Sequence, residues 1–144
     1  MNSKHWKSQI AFVEKALKAK YNYDVVSVTD EVDRADFSDK IVYVNSRTHP
    51  ENRFYTLLHE YGHVELYEED WRSFGCTFPS YINFYKNRSA RSKSGKIATI
   101  AEEIEAWRRG LGLAYRKGFT VDFKKYEKVM NESLMSYIEW AAGV

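Results

Sequence analysis

The chain has 144 residues, with 22 Lys and Arg against 20 Asp and Glu, for a net charge of +2. Hydrophobic residues make up 44% and aromatic residues 16%, which excludes a disordered chain; we expect residues 1–144 to form one domain with its own core. A charge so close to balance argues for no particular partner.

In chain order, residues 4–20 set Trp6, Ile10, Val13 and Leu17 at helical spacing between lysines, which predicts an amphipathic helix. Two Val- and Ile-rich segments, 24–29 (DVVSVT) and 40–45 (KIVYVN), read as neighbouring strands separated by the polar stretch DEVDRADFSD. A helix start follows: Thr48 can cap, Pro50 suits the first turn, and Glu51 stands at capping-box spacing from Thr48. That helix should run to about Tyr67, with Phe54, Leu57, Leu58, Tyr61 and Val64 as its apolar stripe. Residues 70–96 read mostly as loop. Helices are predicted over 97–117, closed by Gly118, and over 122–142, where Phe123, Tyr126, Met130, Leu134, Tyr137 and Ile138 share a face. The order of one helix, two strands and three helices predicts an α+β fold, a small sheet packed on helices.

No apolar run is long enough to span a membrane, and the N-terminus lacks a signal-peptide core, so a cytoplasmic protein without a membrane partner is expected. The single cysteine, Cys76, excludes an intramolecular disulfide and reads as a packed thiol. Residues 71–101 contain no acid, and Lys86, Arg88, Arg91, Lys93 and Lys96 crowd into one Ser-rich segment. A solvated loop is the plainer reading of that segment; a contact for phosphate or an acidic substrate is the sharper one.

His59-Glu60-Tyr61-Gly62-His63 carries the chemistry. On a helix, positions i and i+4 share a face, so both imidazoles can reach one Zn2+ ion. Glu60 is then angled toward a water on that ion, as a general base for hydrolysis. Such an HExxH arises in roughly 1% of shuffled chains of this composition, fewer still inside an amphipathic helix. Gly62 is costly within a helix, by about 1 kcal/mol, and is expected where another backbone must come close.

A catalytic zinc needs a third protein ligand. The other histidines, His5 and His49, both precede the motif, which leaves the glutamates of the later helix: Glu102, Glu103 and Glu105. On a helical wheel, Ile97, Ile100, Ala101, Ile104, Trp107, Leu111 and Tyr115 make an apolar stripe with Glu103 beside it. Glu105 falls farther off, and Glu102 points toward the face of Arg109. A carboxylate at the edge of a core-facing stripe calls for a cation, which favours Glu103, with Glu102 or Glu105 as substitutes.

TLLHEYGHVELY, followed by a helix with Glu103 three residues before Ala106, resembles the IrrE/ImmA-like metallopeptidases, the minigluzincin-like group of bacteria and phages. The resemblance implies a zincin-like fold in which a small sheet packs on an N-terminal helix, an HExxH helix and two C-terminal helices. It also implies a gluzincin-type endopeptidase with His59, His63 and Glu103 as zinc ligands and Glu60 as catalyst. The similarity is specific over 40–67 and 97–113 and only general elsewhere. Trp107-Arg108-Arg109-Gly110 stands where members of the group commonly carry Asn and then Phe-Ala, and no helix-turn-helix is evident.

The expected reaction is therefore hydrolysis of a protein or peptide substrate, bound by analogy along Ile41–Asn45 as an edge strand. His49, Tyr81 and Tyr85 are conceivable donors to the oxyanion. A catalytically silent zincin-fold module that binds and regulates a partner is the alternative. A protease recruited to nucleic acid through the basic segment ranks last.

Overall fold

The computed structural model describes residues 3–70 and 92–143. Helix α1 (Ser3–Tyr21) buries Trp6, Ile10, Val13 and Leu17, the four residues that the spacing singled out. It ends at Asn22, whose φ of 64° is left-handed, a conformation that asparagine tolerates. The amides of Asn22 and Tyr23 donate back to the carbonyls of Lys18 and Leu17 at 3.1 and 3.2 Å, turning the chain into the sheet.

Three strands follow among the described residues: β1 (Asp24–Val28), β2 (Arg34–Asp36) and β3 (Ile41–Asn45), in the order β1-β3-β2. β1 runs parallel to β3, from Asp24 opposite Ile41 to Val28 opposite Asn45. β2 runs antiparallel to β3, with Arg34 opposite Tyr43 and Asp36 opposite Ile41. Two expectations change here. The polar stretch between the predicted strands holds a third one, and Ile41–Asn45 is the central strand, so among the described residues the open edges belong to β1 and β2. Alternation of apolar and polar residues marks a strand with one buried face. β3 has such a face, with Val42 and Val44 buried, whereas Arg34-Ala35-Asp36 buries nothing fully and leaves no such mark.

Helix α2 (Pro50–Glu65) lies at the centre of the fold, and Phe54, Tyr55, Leu57, Leu58, Tyr61 and Val64 are all buried. Its cap is His49 rather than Thr48: the His49 Nδ1 accepts the Glu51 amide at 3.1 Å, while the Thr48 hydroxyl donates to the Asn45 carbonyl. One π-helical turn, Leu66–Asp70, continues it.

Helix α3 (Lys93–Lys117) starts earlier than expected, because the Ser92 hydroxyl accepts the Gly95 amide at 3.0 Å and caps it. Lys93 and Lys96 therefore sit in its first turns instead of a loop, and Lys96 donates to the Ala141 carbonyl at 3.2 Å. Lys86, Arg88 and Arg91 lie outside the described residues, as do Cys76, Tyr81 and Tyr85. Gly118 ends α3 at φ 65°, as expected.

Helix α4 (Phe123–Ala142) is capped by Asp122. Tyr126 is its buried residue, with Met130 and Leu134 partly buried, while Phe123 and Ile138 are exposed rather than on the packed face. Four helices and a three-stranded sheet among the described residues make this an α+β fold. None of the helices among the described residues is long and apolar enough to cross a membrane.

A polar junction fixes the start of α4 against α2. The buried Tyr55 hydroxyl donates to Glu51 Oε2 at 2.7 Å and accepts the Asp122 amide at 2.9 Å. Tyr55→Phe removes both bonds and leaves a buried carboxylate and an amide short of a partner. We expect a loss of about 1–3 kcal/mol in chemical denaturation. A midpoint unchanged from the wild type would show that this junction contributes nothing net.

Candidate metal centre

α2 presents His59 and His63 one turn apart, and α3 brings Glu103 to them. Both helices are notched at the approach. A Cβ placed on Gly62 would lie 1.8 Å from the Ala106 carbonyl oxygen, and one on Gly110 would lie 2.2 Å from that of Leu58. The α3 backbone is thus the one that Gly62 was expected to admit. The same closeness corrects the helical wheel. The buried face of α3 is Ala98, Glu103, Ala106, Trp107, Gly110, Leu113 and Ala114, whereas Ile97, Ile104 and Tyr115 are exposed. Weighting the wheel by hydrophobicity follows the isoleucines, but helices packed backbone to backbone bury their smallest residues. Glu103 consequently lies near the middle of the buried face rather than at its edge.

The three side chains converge. His59 Nε2 lies 3.0 Å from Glu103 Oε1 and His63 Nε2 lies 2.8 Å from Glu103 Oε2, with all three residues less than 10% exposed. One ligand atom from each falls within 4.8 Å of the others. Bonds of about 2.0–2.2 Å at tetrahedral angles place ligand atoms roughly 3.3 Å apart, so two imidazoles and a carboxylate in this arrangement fit a divalent cation with little movement.

The neighbours orient this group. The His59 ring stacks on Trp107 at 4.2 Å and 8°. His63 Nδ1 has Glu102 Oε1 at 3.5 Å, the carboxylate-to-histidine arrangement that aims the other ring nitrogen at a metal. Glu102 therefore faces the cleft, and it is Glu105 that turns away, to Arg109 at 3.0 Å and Arg108 at 3.2 Å. Their roles are exchanged relative to the wheel because the true buried face is rotated from the isoleucine stripe.

Charge couples these groups to one another. Burial opposes the charge on His63, but Glu103, Glu102 and Glu60 raise its pKa well above the usual imidazole range. Burial and the His63 charge push His59 down to about 4, against the pull of Glu103. Burial also disfavours the Glu103 anion, yet the His63 charge and the hydrogen bonds from both rings bring its carboxyl down to about 2. A carboxylate buried against an imidazolium is a ready place for a larger positive charge. Glu60, 4% exposed, is pushed up to about 7 by burial; the His63 charge opposes this, and Glu103 and Asp33 add to it.

These residues line an open cleft of about 580 Å³. Its other walls include 32–35 and Phe37 in and around β2, and α4 through Val129, Ser133, Ser136 and Tyr137. Burial, followed by the charges of Glu103, Glu60 and Glu102, raises the Tyr137 pKa, so its hydroxyl stays protonated. Asp33 and Tyr137 escaped the reading of the sequence, the first inside a polar linker and the second counted among packing residues. His49 is occupied as a helix cap and is not part of the cleft wall.

The family model for the IrrE N-terminal-like domain, a peptidase family, matches residues 13–91. No curated protein and no solved structure matches the chain. The family match runs from within α1 through β1, β2, β3 and the HExxH helix, stopping before Glu103. Because it covers more than half of the 144 residues and includes the histidine pair on its helix, the chain belongs to the peptidase family of IrrE N-terminal-like domains.

Proposed function

We propose that this protein is a zinc metallopeptidase that hydrolyses peptide bonds of a protein or peptide substrate. The observation that carries this reading is the convergence of His59, His63 and Glu103 on the wall of an open cleft, with Glu60 beside them. Two imidazoles and one carboxylate are a donor set suited to catalytic zinc, and they leave room for a further, exchangeable ligand. When bound there, the ion would supply the Lewis acidity that makes water a nucleophile near neutral pH.

Glu60 takes the proton from the attacking water and returns it to the departing amine. Its burial raises its basicity, and a cation nearby favours its ionised form, so it enters the reaction as a base. Tyr137 lines the same cleft with a protonated hydroxyl and serves as donor to the carbonyl oxygen as charge develops there. The substrate adds as a strand along the open edge of β2 (Arg34–Asp36), taking the place that the sequence suggested for Ile41–Asn45.

Glu60→Gln tests the mechanism while preserving shape. General-base catalysis is worth about 10²–10⁴-fold, so amide hydrolysis should fall by roughly that factor while metal content by elemental analysis stays at one equivalent. Undiminished cleavage of an unfolded protein substrate by this variant would overturn the assignment of Glu60.

A further inference from the structure

The cleft holds a second polar feature that the hydrolytic reading leaves unused. Asp33 stands just before β2, and its Oδ1 accepts the backbone amide of Asn45 at 2.7 Å, which fixes the carboxylate against the sheet. The other oxygen, Oδ2, is buried and has no hydrogen-bond partner among the described residues. Among the described residues, the cations of the flanking segments are engaged elsewhere. Arg34 stacks over the Tyr43 ring at 4.0 Å with its Nε 3.8 Å from Glu31, and Arg47 pairs with Asp30 at 3.4 Å.

A buried carboxylate oxygen without a donor is destabilising, and such groups persist where a ligand completes them. Asp33 lines the same cleft as Glu60 and Glu102, beside the open edge of β2 along which a peptide would run. A divalent ion would offset the charge of Glu103 and its neighbours, whereas Asp33, held by the Asn45 amide, has no cation of its own among the described residues. We infer that Asp33 anchors a cationic group of the peptide, an ammonium or guanidinium, and so selects substrates by charge. This inference rests on the peptidase reading for the identity of the ligand as a peptide. The cation can come from two sources: a Lys or Arg side chain, or a free α-amino group.

Zinc-loaded Glu60→Gln protein allows binding to be measured apart from cleavage. A synthetic pool of random octapeptides, half of it N-acetylated, is selected on this protein, and the bound fraction is sequenced by mass spectrometry. A charge-assisted contact should enrich the cationic group about tenfold at one position. Asp33→Asn in the same background should lose that enrichment and keep the preferences at other positions, since asparagine can still accept the Asn45 amide. Asp33→Glu, which retains the charge but shifts it, should weaken the enrichment without abolishing it, and it serves as the test should the asparagine variant fail to fold.

Enrichment that survives acetylation assigns the contact to a Lys or Arg side chain, and enrichment confined to free amines assigns it to the α-ammonium. A pool with no cationic preference, or a preference unchanged in both Asp33 variants, overturns the inference. Cleavage of the pool by the unaltered protein is read separately. Cutting without charge preference removes the role of Asp33 and leaves the peptidase reading standing, whereas charge-selective binding without cutting does the reverse.

Discussion

Replacing Gly62 with alanine is expected to destabilise the fold by about 3 kcal/mol and to weaken metal binding at the same time. In a helix interior the same change would ordinarily stabilise, by about 1 kcal/mol, so the expected sign is opposite to that of intrinsic propensity. The reason is steric. The added Cβ would meet the Ala106 carbonyl oxygen at 1.8 Å and its carbon at 2.7 Å, and both belong to backbone that cannot rotate aside. α2 and α3 must separate, and with them His63, next to Gly62, and Glu103, one turn before Ala106. Gly110→Ala should behave alike, because its Cβ would meet the Leu58 carbonyl oxygen at 2.2 Å. Gly112 on the same helix is the control: its nearest neighbour is the flexible end of Arg116 at 3.3 Å, so alanine there should be neutral or stabilising. Thermal melts of the three variants decide the matter. Equal midpoints for Gly62→Ala and Gly112→Ala would mean that the close helix approach is absent.

That pair of notches also explains what was legible in the sequence. His59, Glu60 and His63 announce themselves because the chemistry dictates both residue type and spacing. The first helix, the β1 and β3 segments and the Gly118 stop were readable because each has a periodic or conformational signature. The face of α3 was not, since small residues at a backbone contact carry little hydrophobic signal while three large apolar residues, Ile97, Ile104 and Tyr115, face solvent. Glu103 was nevertheless singled out from its neighbours because a carboxylate near the core side of a helix needs a cation under either placement of the stripe. β2 was hidden for the opposite reason. Its three residues pair through the backbone with β3, and backbone pairing imposes no residue type. Without a signal for β2, the sequence offers Ile41–Asn45 as the edge of the sheet and gives no sign that Asp33 lines a cleft. His49 displaced Thr48 as the cap because a histidine Nδ1 can accept an amide, a role outside the usual Ser, Thr, Asp and Asn signal.

The three glutamates of α3 should separate cleanly when metal affinity is measured by competition with a chromogenic chelator. A carboxylate that orients a ligand histidine without touching the metal is worth about 10–100-fold in affinity, and a direct ligand must be worth more. Glu103→Gln therefore should lose well over about a hundredfold, since the amide keeps the shape but surrenders the charge that faces both imidazoles at 3.0 and 2.8 Å. Glu102→Gln should lose less, in that 10–100-fold range, because its contact is with His63 Nδ1 at 3.5 Å and not with the metal position. Glu105→Gln should leave affinity unchanged, its carboxylate being committed to Arg108 and Arg109. The order matters more than any single value, because all three residues share one helix and a general loss of stability would affect them without regard to their direction. If Glu102→Gln were the most damaging, the third ligand would be Glu102, and Glu103 would be the residue that orients the histidines. Equal, small losses at all three would leave His59 and His63 as a pair without a carboxylate ligand, and the proposed catalytic centre would not stand.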